Sequence, residues 1–195
     1  MRATIKMKLA VTFGIILILL AVVVGVSVSR LSTLNTAITD LIAGPAARLD
    51  RAQQVQVAFG TAARNERSMT MTNDPVQVKE FDDKVSRSML ELDRLSQEGE
   101  AAATPGTVQV WREMRAALDS FKPVDTRIRE LARANANEEA ARLALGPARA
   151  VLDRVNKQAD LLVERARADM KQVDQDTNAL YASARATLLL SLIHI

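Results

Sequence analysis

From Leu9 to Ser29 the chain carries no charged side chain, and Phe13 to Val28 reads FGIILILLAVVVGVSV. Few structures accommodate such a run. About twenty helical residues at about 1.5 Å each cover about 30 Å, the hydrocarbon thickness of a bilayer. A helix is also the one single-segment structure that satisfies its own backbone donors and acceptors in lipid. Residues 9–29 are therefore expected to form a transmembrane helix. A cleaved signal peptide would show a shorter apolar stretch, about 7 to 15 residues, closed by a site of A-x-A type. Here the run is longer and no clear A-x-A site follows, so an uncleaved anchor in the lipid bilayer is expected.

Arg2, Lys6 and Lys8 precede the run, whereas Arg30 alone follows it closely. Basic residues concentrate on the cytoplasmic side of a span. Residues 1–8 are accordingly expected in the cytoplasm of a bacterial cell, with the anchor in its inner membrane and everything from about Leu31 in the periplasm. At the other end, Ala186 to Ile195 (ATLLLSLIHI) is apolar after Arg185. Ten residues reach only about halfway across a bilayer, so 186–195 is read as the start of a second, truncated membrane helix. Its last five residues, Ser191 to Ile195, also resemble translated library-adaptor sequence. Residues 31–185 then form one extracytoplasmic domain between two spans.

The fold class follows from what the chain lacks. Seven Gly and five Pro in 195 residues are too few turn signals for a multi-stranded sheet, and the composition leans on Ala, Leu, Val, Arg, Asp and Glu, so an all-α protein is expected. The net charge of +3 is a property of the anchor: without Arg2, Lys6, Lys8 and Arg30, the 26 basic residues fall to 22 against 23 acidic ones. With no basic stripe and 3% aromatic residues, nucleic acid is excluded as a partner. There is no Cys, and His194 is the only His. That removes disulfides, thiol nucleophiles and Cys/His metal sites and leaves no histidine base for a serine nucleophile. No catalytic residues, metal or cofactor are indicated, and an enzyme is not expected.

Between the spans, apolar residues recur at alternating spacings of three and four, the pattern of an antiparallel bundle seam. The last segment is the clearest: Leu152, Val155, Ala159, Leu162, Ala166, Met170, Val173, Thr177, Leu180, Ala184. The third gives Val108, Trp111, Met114, Leu118, Phe121, Asp125, Ile128 and Leu131; the second gives Val78, Phe81, Val85, Met89, Leu92 and Leu95. The first continues the membrane helix through Leu31, Leu34, Ile38 and Leu41, then Leu49, Ala52, Val55, Phe59, Ala62 and Met69. Asn73-Asp74-Pro75 supplies a turn, a cap and a first-turn proline. Gly99 to Gly106 separates the second helix from the third, and Asn135-Ala136-Asn137 with Glu138 and Glu139 ends the third and starts a fourth that runs into the second span. Gly44-Pro45, Pro123 and Gly146-Pro147 are expected to kink their helices, each at about 3 kcal/mol unless placed at a terminus. The expected architecture is a transmembrane helix continuing into an antiparallel four-helix bundle.

Three stretches carry a resemblance: Leu34 to Ala52 (LNTAITDLIAGPAARLDRA), Ala63 to Pro75 (ARNERSMTMTNDP) and Ala134 to Leu145 (ANANEEAARLAL). With the layout above, they make the chain resemble the four-helix-bundle ligand-binding module of bacterial methyl-accepting chemotaxis receptors and related sensor kinases. The resemblance implies a periplasmic module that forms a homodimer through helix 1, binds small ligands near its membrane-distal end and signals through the second span. It makes Arg64 and Arg67 candidates for gripping the carboxylate of a small anionic ligand, such as an organic or amino acid, by bidentate hydrogen bonds. Thr61, Thr70 and Asn73 are candidates for neutral hydrogen bonds to it. Against this stands a solvated helix turn in which Glu66, which falls near the apolar seam, pairs locally.

Asp125 sits in an apolar stripe, either as a buried polar group that sets register or, as expected if the Pro123 kink turns that face outward, at the rim. Trp111, at helical spacing with Met114 and Leu118, is expected in the core rather than on a ligand. Helix 1 is expected to offer Ala52, Val55, Phe59 and Ala62 to the partner in a dimer. The function expected is sensory: a chemoreceptor front end that converts ligand occupancy into a helix shift across the membrane. The same front end would suit a histidine kinase or a diguanylate cyclase. A membrane-tethered structural coiled coil is the reading of another class, and it requires a uniformly apolar core at the membrane-distal end. Under the charge bias described above, a reporter fused after Arg185 is expected to be active only outside the cytoplasm, and activity inside would overturn the sensor assignment.

Overall fold

The computed structural model describes residues 4–193, with side chains described for all of these but 187, 188 and 190–193. Arg2 and His194 lie outside the described residues, as do the side chains of Ser191 to Ile195. Helix α1 (Ile5–Leu41) passes through one π-type turn (Ile42–Ala46) into α2 (Ala47–Met69); α3 (Pro75–Ala101), α4 (Val108–Arg133), α5 (Asn137–Leu145) and α6 (Pro147–Ile193) follow. The fold is all-α, as expected.

The helices begin and end where the local chemistry requires. Asp74 caps α3 by accepting from the Val76 backbone N–H at 2.9 Å, with Pro75 at the first helical position, where its missing donor costs nothing. Asn135 closes α4 in the left-handed region (φ 57°), a conformation that Asn tolerates better than most residues, and its neighbour Ala136 donates back to the Leu131 carbonyl. Glu138 and Glu139 occupy the first turn of α5, against its positive end.

Two compact units result. One joins the residues up to Pro45 with those from Asp169 onward. Its long helix is apolar and long enough to cross a membrane by length and composition, and none of its apolar window is buried within the protein. In the same unit Leu31 and Leu34 of α1 and Leu180, Tyr181 and Ala184 of α6 line a common apolar cavity of about 190 Å³.

The other unit, Ala46 to Ala168, is the bundle. Its helices alternate in direction. Arg51, early in α2, pairs with Glu98, late in α3; Arg115, early in α4, pairs with Glu100, late in α3; and Arg133, at the end of α4, reaches Asp82 near the start of α3. The four stripes close on one core around Val55, Phe59, Val85, Leu92, Met114, Phe121, Ile128, Val155 and Ala159. Phe59 and Phe121 meet edge to face, with ring centroids 5.3 Å apart. Trp111 is core, as expected.

Several expectations are corrected. Pro123, expected to kink its helix, lies within an α4 that is continuous from Val108 to Arg133. The proline lies on the exposed side, where the carbonyl deprived of its donor can turn to water. The stripe therefore keeps its phase through the proline, and Asp125 is buried, not at the rim. Gly146-Pro147 does more than kink one helix: Gly146 ends α5, its N–H donating to the Arg142 carbonyl, and Pro147 begins α6. At Gly44-Pro45 the chain widens into the π-type turn. Ala52, Val55, Phe59 and Ala62 are all fully buried in the bundle's own core, so they are not free for a partner. The outward face of α2 instead carries Gln53, Val57 and Arg64.

Gly99 lies inside α3 rather than in the following loop, and a Cβ built on it falls onto the six-membered ring of Trp111. Replacing Gly by Ala within a helix gains about 1 kcal/mol of propensity, whereas forcing a methyl group into a packed core costs about 1–3 kcal/mol. Gly99→Ala is expected to lower unfolding stability by about 1 kcal/mol net and to shift the emission of Trp111, the chain's only Trp. An unchanged denaturation midpoint would mean that the indole yields freely.

Candidate functional site

The sequence candidates all lie where α2 turns into α3. Arg64 is exposed and donates from Nη2 to the Thr61 hydroxyl at 3.0 Å. Thr61 also borders an open groove of about 480 Å³ shared with Gln54, Val57, Arg87 and Glu91. Arg67, three residues on, is exposed but borders a different surface, a small cavity next to Glu66 and Arg149. Thr70 is buried, and its hydroxyl donates to the Arg67 carbonyl at 2.8 Å. The Asn73 side-chain oxygen accepts from Asn137 Nδ2 at 2.7 Å, tying the α2–α3 turn to the start of α5. Arg64 and Thr61 thus come together, whereas Arg67, Thr70 and Asn73 each face other neighbours. Neither Arg64 nor Arg67 has a carboxylate partner among the described residues.

Beside this surface lies a polar network of which periodicity marked two members, Asp125 within a stripe and Glu66 near one, but not their partners. Glu66 of α2 is 2% exposed and Asp125 of α4 is 5% exposed, both inside the seam. Arg129, one turn after Asp125, lies 3.4 Å from it and also donates from Nε to Asp82 and from Nη2 to the Ser86 hydroxyl, both on α3. Arg133 closes the group with a bond of 2.6 Å to the second Asp82 oxygen. Three helices are joined through two guanidiniums and three carboxyls.

The electrostatics of the carboxyls diverge. Burial alone would raise the Asp82 carboxyl, but the hydrogen bonds from Arg129 and Arg133 outweigh it and hold Asp82 below its ordinary range. Glu66 goes the other way. Burial first, and then a hydrogen bond and charge from Asp125, push it up to about 9 against the attraction of Arg129. With both groups ionised, Glu66 Oε1 and Asp125 Oδ1 are buried oxygens with no donor among the described residues. A proton on Glu66 supplies that donor. The sequence did carry a signal for this pair: Asp125 interrupts an apolar stripe, and Glu66 falls between Ala62 and Met69 at spacings of four and three.

A helix long and apolar enough to cross a membrane, in one chain with an antiparallel bundle that buries charged groups, is the layout of a helical sensory bundle. The comparison with known families is specific. The chain belongs to the four helix bundle sensory modules for signal transduction, found in chemotaxis receptors; the family model matches residues 2–181. No curated protein matches the chain. A module of this family serves sensing and is not a catalytic domain.

Breaking a buried charge pair by removing one partner costs about 3–5 kcal/mol, whereas an exposed ion pair contributes at most about 1 kcal/mol. The Arg129 side chain is 16% exposed and that of Arg133 is 51% exposed. Arg129→Ala is therefore expected to destabilise the bundle by about 3–5 kcal/mol and Arg133→Ala by no more than about 1 kcal/mol, read as shifts of the urea midpoint. Equal effects would mean that the network is solvated.

Proposed function

We propose that the chain is the sensing front end of a chemotaxis receptor in the bacterial inner membrane, with a cytoplasmic N-terminus, a periplasmic bundle and a return toward the membrane through α6. The ligand is a small anion, an organic or amino acid, held by Arg64 and Arg67 with help from Thr61, whose hydroxyl lies 3.0 Å from Arg64 Nη2; Thr70 and Asn73, already bonded within the protein, are left out of the site. One observation carries the reading: Arg64 and Arg67 stand one turn apart on the last part of α2, both exposed and neither matched by a carboxylate among the described residues. Two such cations repel each other, and an anion that relieves the repulsion binds one arrangement of the helices better than another. That difference in affinity is what any switch requires.

A homodimer fits this reading best through the outward face of α2, where Gln53, Val57 and Arg64 would meet their symmetry mates. Ligand occupancy would then change the contact between two copies of α2, and each helix would pass the displacement toward the membrane. The alternative of a tethered structural coiled coil demands an apolar core near the α2–α3 turn. Glu66, Asp125 and Arg129 occupy that position.

Titration calorimetry of the whole chain in detergent, against a panel of organic and amino acids, is expected to find a ligand whose affinity falls at least tenfold, about 1.4 kcal/mol, when Arg64 and Arg67 are both replaced by Ala. An affinity kept within about twofold would place the site elsewhere. Sedimentation of the same preparation is expected to show a dimer, and a strict monomer with and without ligand would remove the dimer from the mechanism.

A further inference from the structure

The network described above contains three carboxyls, Glu66, Asp82 and Asp125, and two guanidiniums, Arg129 and Arg133. One acid has no matching cation. Asp82 takes both arginines through its two oxygens, and Asp125 shares Arg129, so the surplus falls on Glu66. Glu66 of α2 and Asp125 of α4 lie within reach of a shared hydrogen bond, and each has one buried oxygen that lacks a donor among the described residues. A buried polar atom in that condition carries the whole cost of lost hydration. A single proton between the two carboxyls removes both deficits and balances the cluster's charge.

The surroundings say how a proton gets in and what else faces the pair. Glu66 borders a cavity of about 20 Å³, close to the space of one water molecule, walled by Phe59 and Phe121 and flanked by the exposed Arg67 and Arg149. Within α2, Arg67 is the charged group at this cavity. From α3 comes Asp82, acting through Arg129; from α4 come Asp125, Arg129 and Arg133; α6 contributes Arg149; α5 contributes Ala144 and no titratable group to the wall. The volume admits water and excludes an organic ligand, and the two cations at its edge disfavour a metal ion. The remaining ligand is the proton.

We propose that Glu66 and Asp125 form a proton-binding site through which this module senses the pH outside the membrane: one shared proton ties α2 to α4, and its loss sets two carboxylates against each other inside the bundle and drives the two helices apart. The site is independent of the anion reading at Arg64 and Arg67 and stands whether or not that reading does. Its direction is fixed by linkage. Glu66 is raised from 4.5 to about 9 in the folded bundle, so the unfolded chain releases this proton at lower pH than the folded one. The stabilisation is complete below about 4.5, declines as pH rises toward 9 and is fully lost above it. The conformational signal belongs to the upper end of that window, where the folded protein itself gives up the proton.

Two measurements on the whole chain in lipid nanodiscs test this. Infrared difference spectroscopy of the unaltered protein is expected to show the carbonyl stretch of a protonated, buried carboxylic acid at pH 7, lost on titration to pH 10 and missing from Glu66→Gln. If the unaltered protein shows no such band at pH 7, the site is refuted, however the variants behave. The second measurement is a distance. The chain has no Cys, so spin labels at V57C on α2 and T126C on α4, in protein diluted with an excess of unlabelled chain so that no dimer carries labels on both copies, report the α2–α4 separation within one chain. The separation is expected to widen between pH 7 and pH 10 in the otherwise unaltered protein and to stay fixed in Glu66→Gln, whose amide donates to Asp125 at every pH. A separation that ignores pH, or that responds equally in Glu66→Gln, would overturn the proposal. Asp125→Asn, which removes the facing charge, is expected to abolish the widening as well; a retained response there would also count against it.

Discussion

Each helix of the bundle has one apolar stripe and nothing but the other helices on which to bury it. This constraint orders everything else in the unit. A stripe of alternating three- and four-residue steps stays on one face only if the helix is continuous and its neighbours run nearly parallel or antiparallel to it. Hence α4 continues through Pro123. Breaking the helix there would swing Phe121 or Ile128 out of a core in which both are fully or almost fully buried. At about 25 cal/mol per Å² of apolar surface, exposing one such side chain costs about 2–3 kcal/mol, comparable to the penalty of the proline itself. The seam prevails because the proline can face water and the apolar side chains cannot.

The same seam makes its polar members consequential. An apolar group at Glu66 or Asp125 would fit the stripe without the cost of desolvation, and apolar replacements of buried ion pairs are often neutral or stabilising. The bundle instead carries a guanidinium, Arg129, that holds two acids on different helices, and a third acid that remains neutral only by keeping a proton. Such an arrangement is less forgiving than a greasy core. It also gives three helices a common registration point near the turn where Arg64 and Arg67 emerge. Sensory modules must have two arrangements close in free energy, and a core with one buried, removable charge supplies that closeness more readily than one of Leu and Phe alone.

Much of this was legible in the sequence because much of it is local. The uncharged run from Leu9 to Ser29, the stripe from Leu152 to Ala184, and Asp74-Pro75 at the start of a helix are each decided within a few turns of chain. Period, capping and length are properties of a segment and survive any packing. Where reasoning from the segment failed, a neighbour intervened. Gly99 reads as a loop residue, yet it lies within α3, where the Trp111 ring occupies the space a side chain would need. The stripe of Ala52, Val55, Phe59 and Ala62 reads as a surface for a second copy, but the other three helical segments cover it first.

The sequence by itself therefore determined the class of fold, the order of the helices and the apolar span, since helical periodicity and hydropathy are written in consecutive residues. It also placed Glu66 near a seam and Asp125 within one. Only the tertiary structure decided that these two acids face each other, that Arg129 belongs to Asp82 as well as to Asp125, and that Arg64 and Arg67 border different surfaces. Those pairings depend on the axial register of one helix against another. Register is the outcome of packing whole stripes together, and no short stretch of chain contains it.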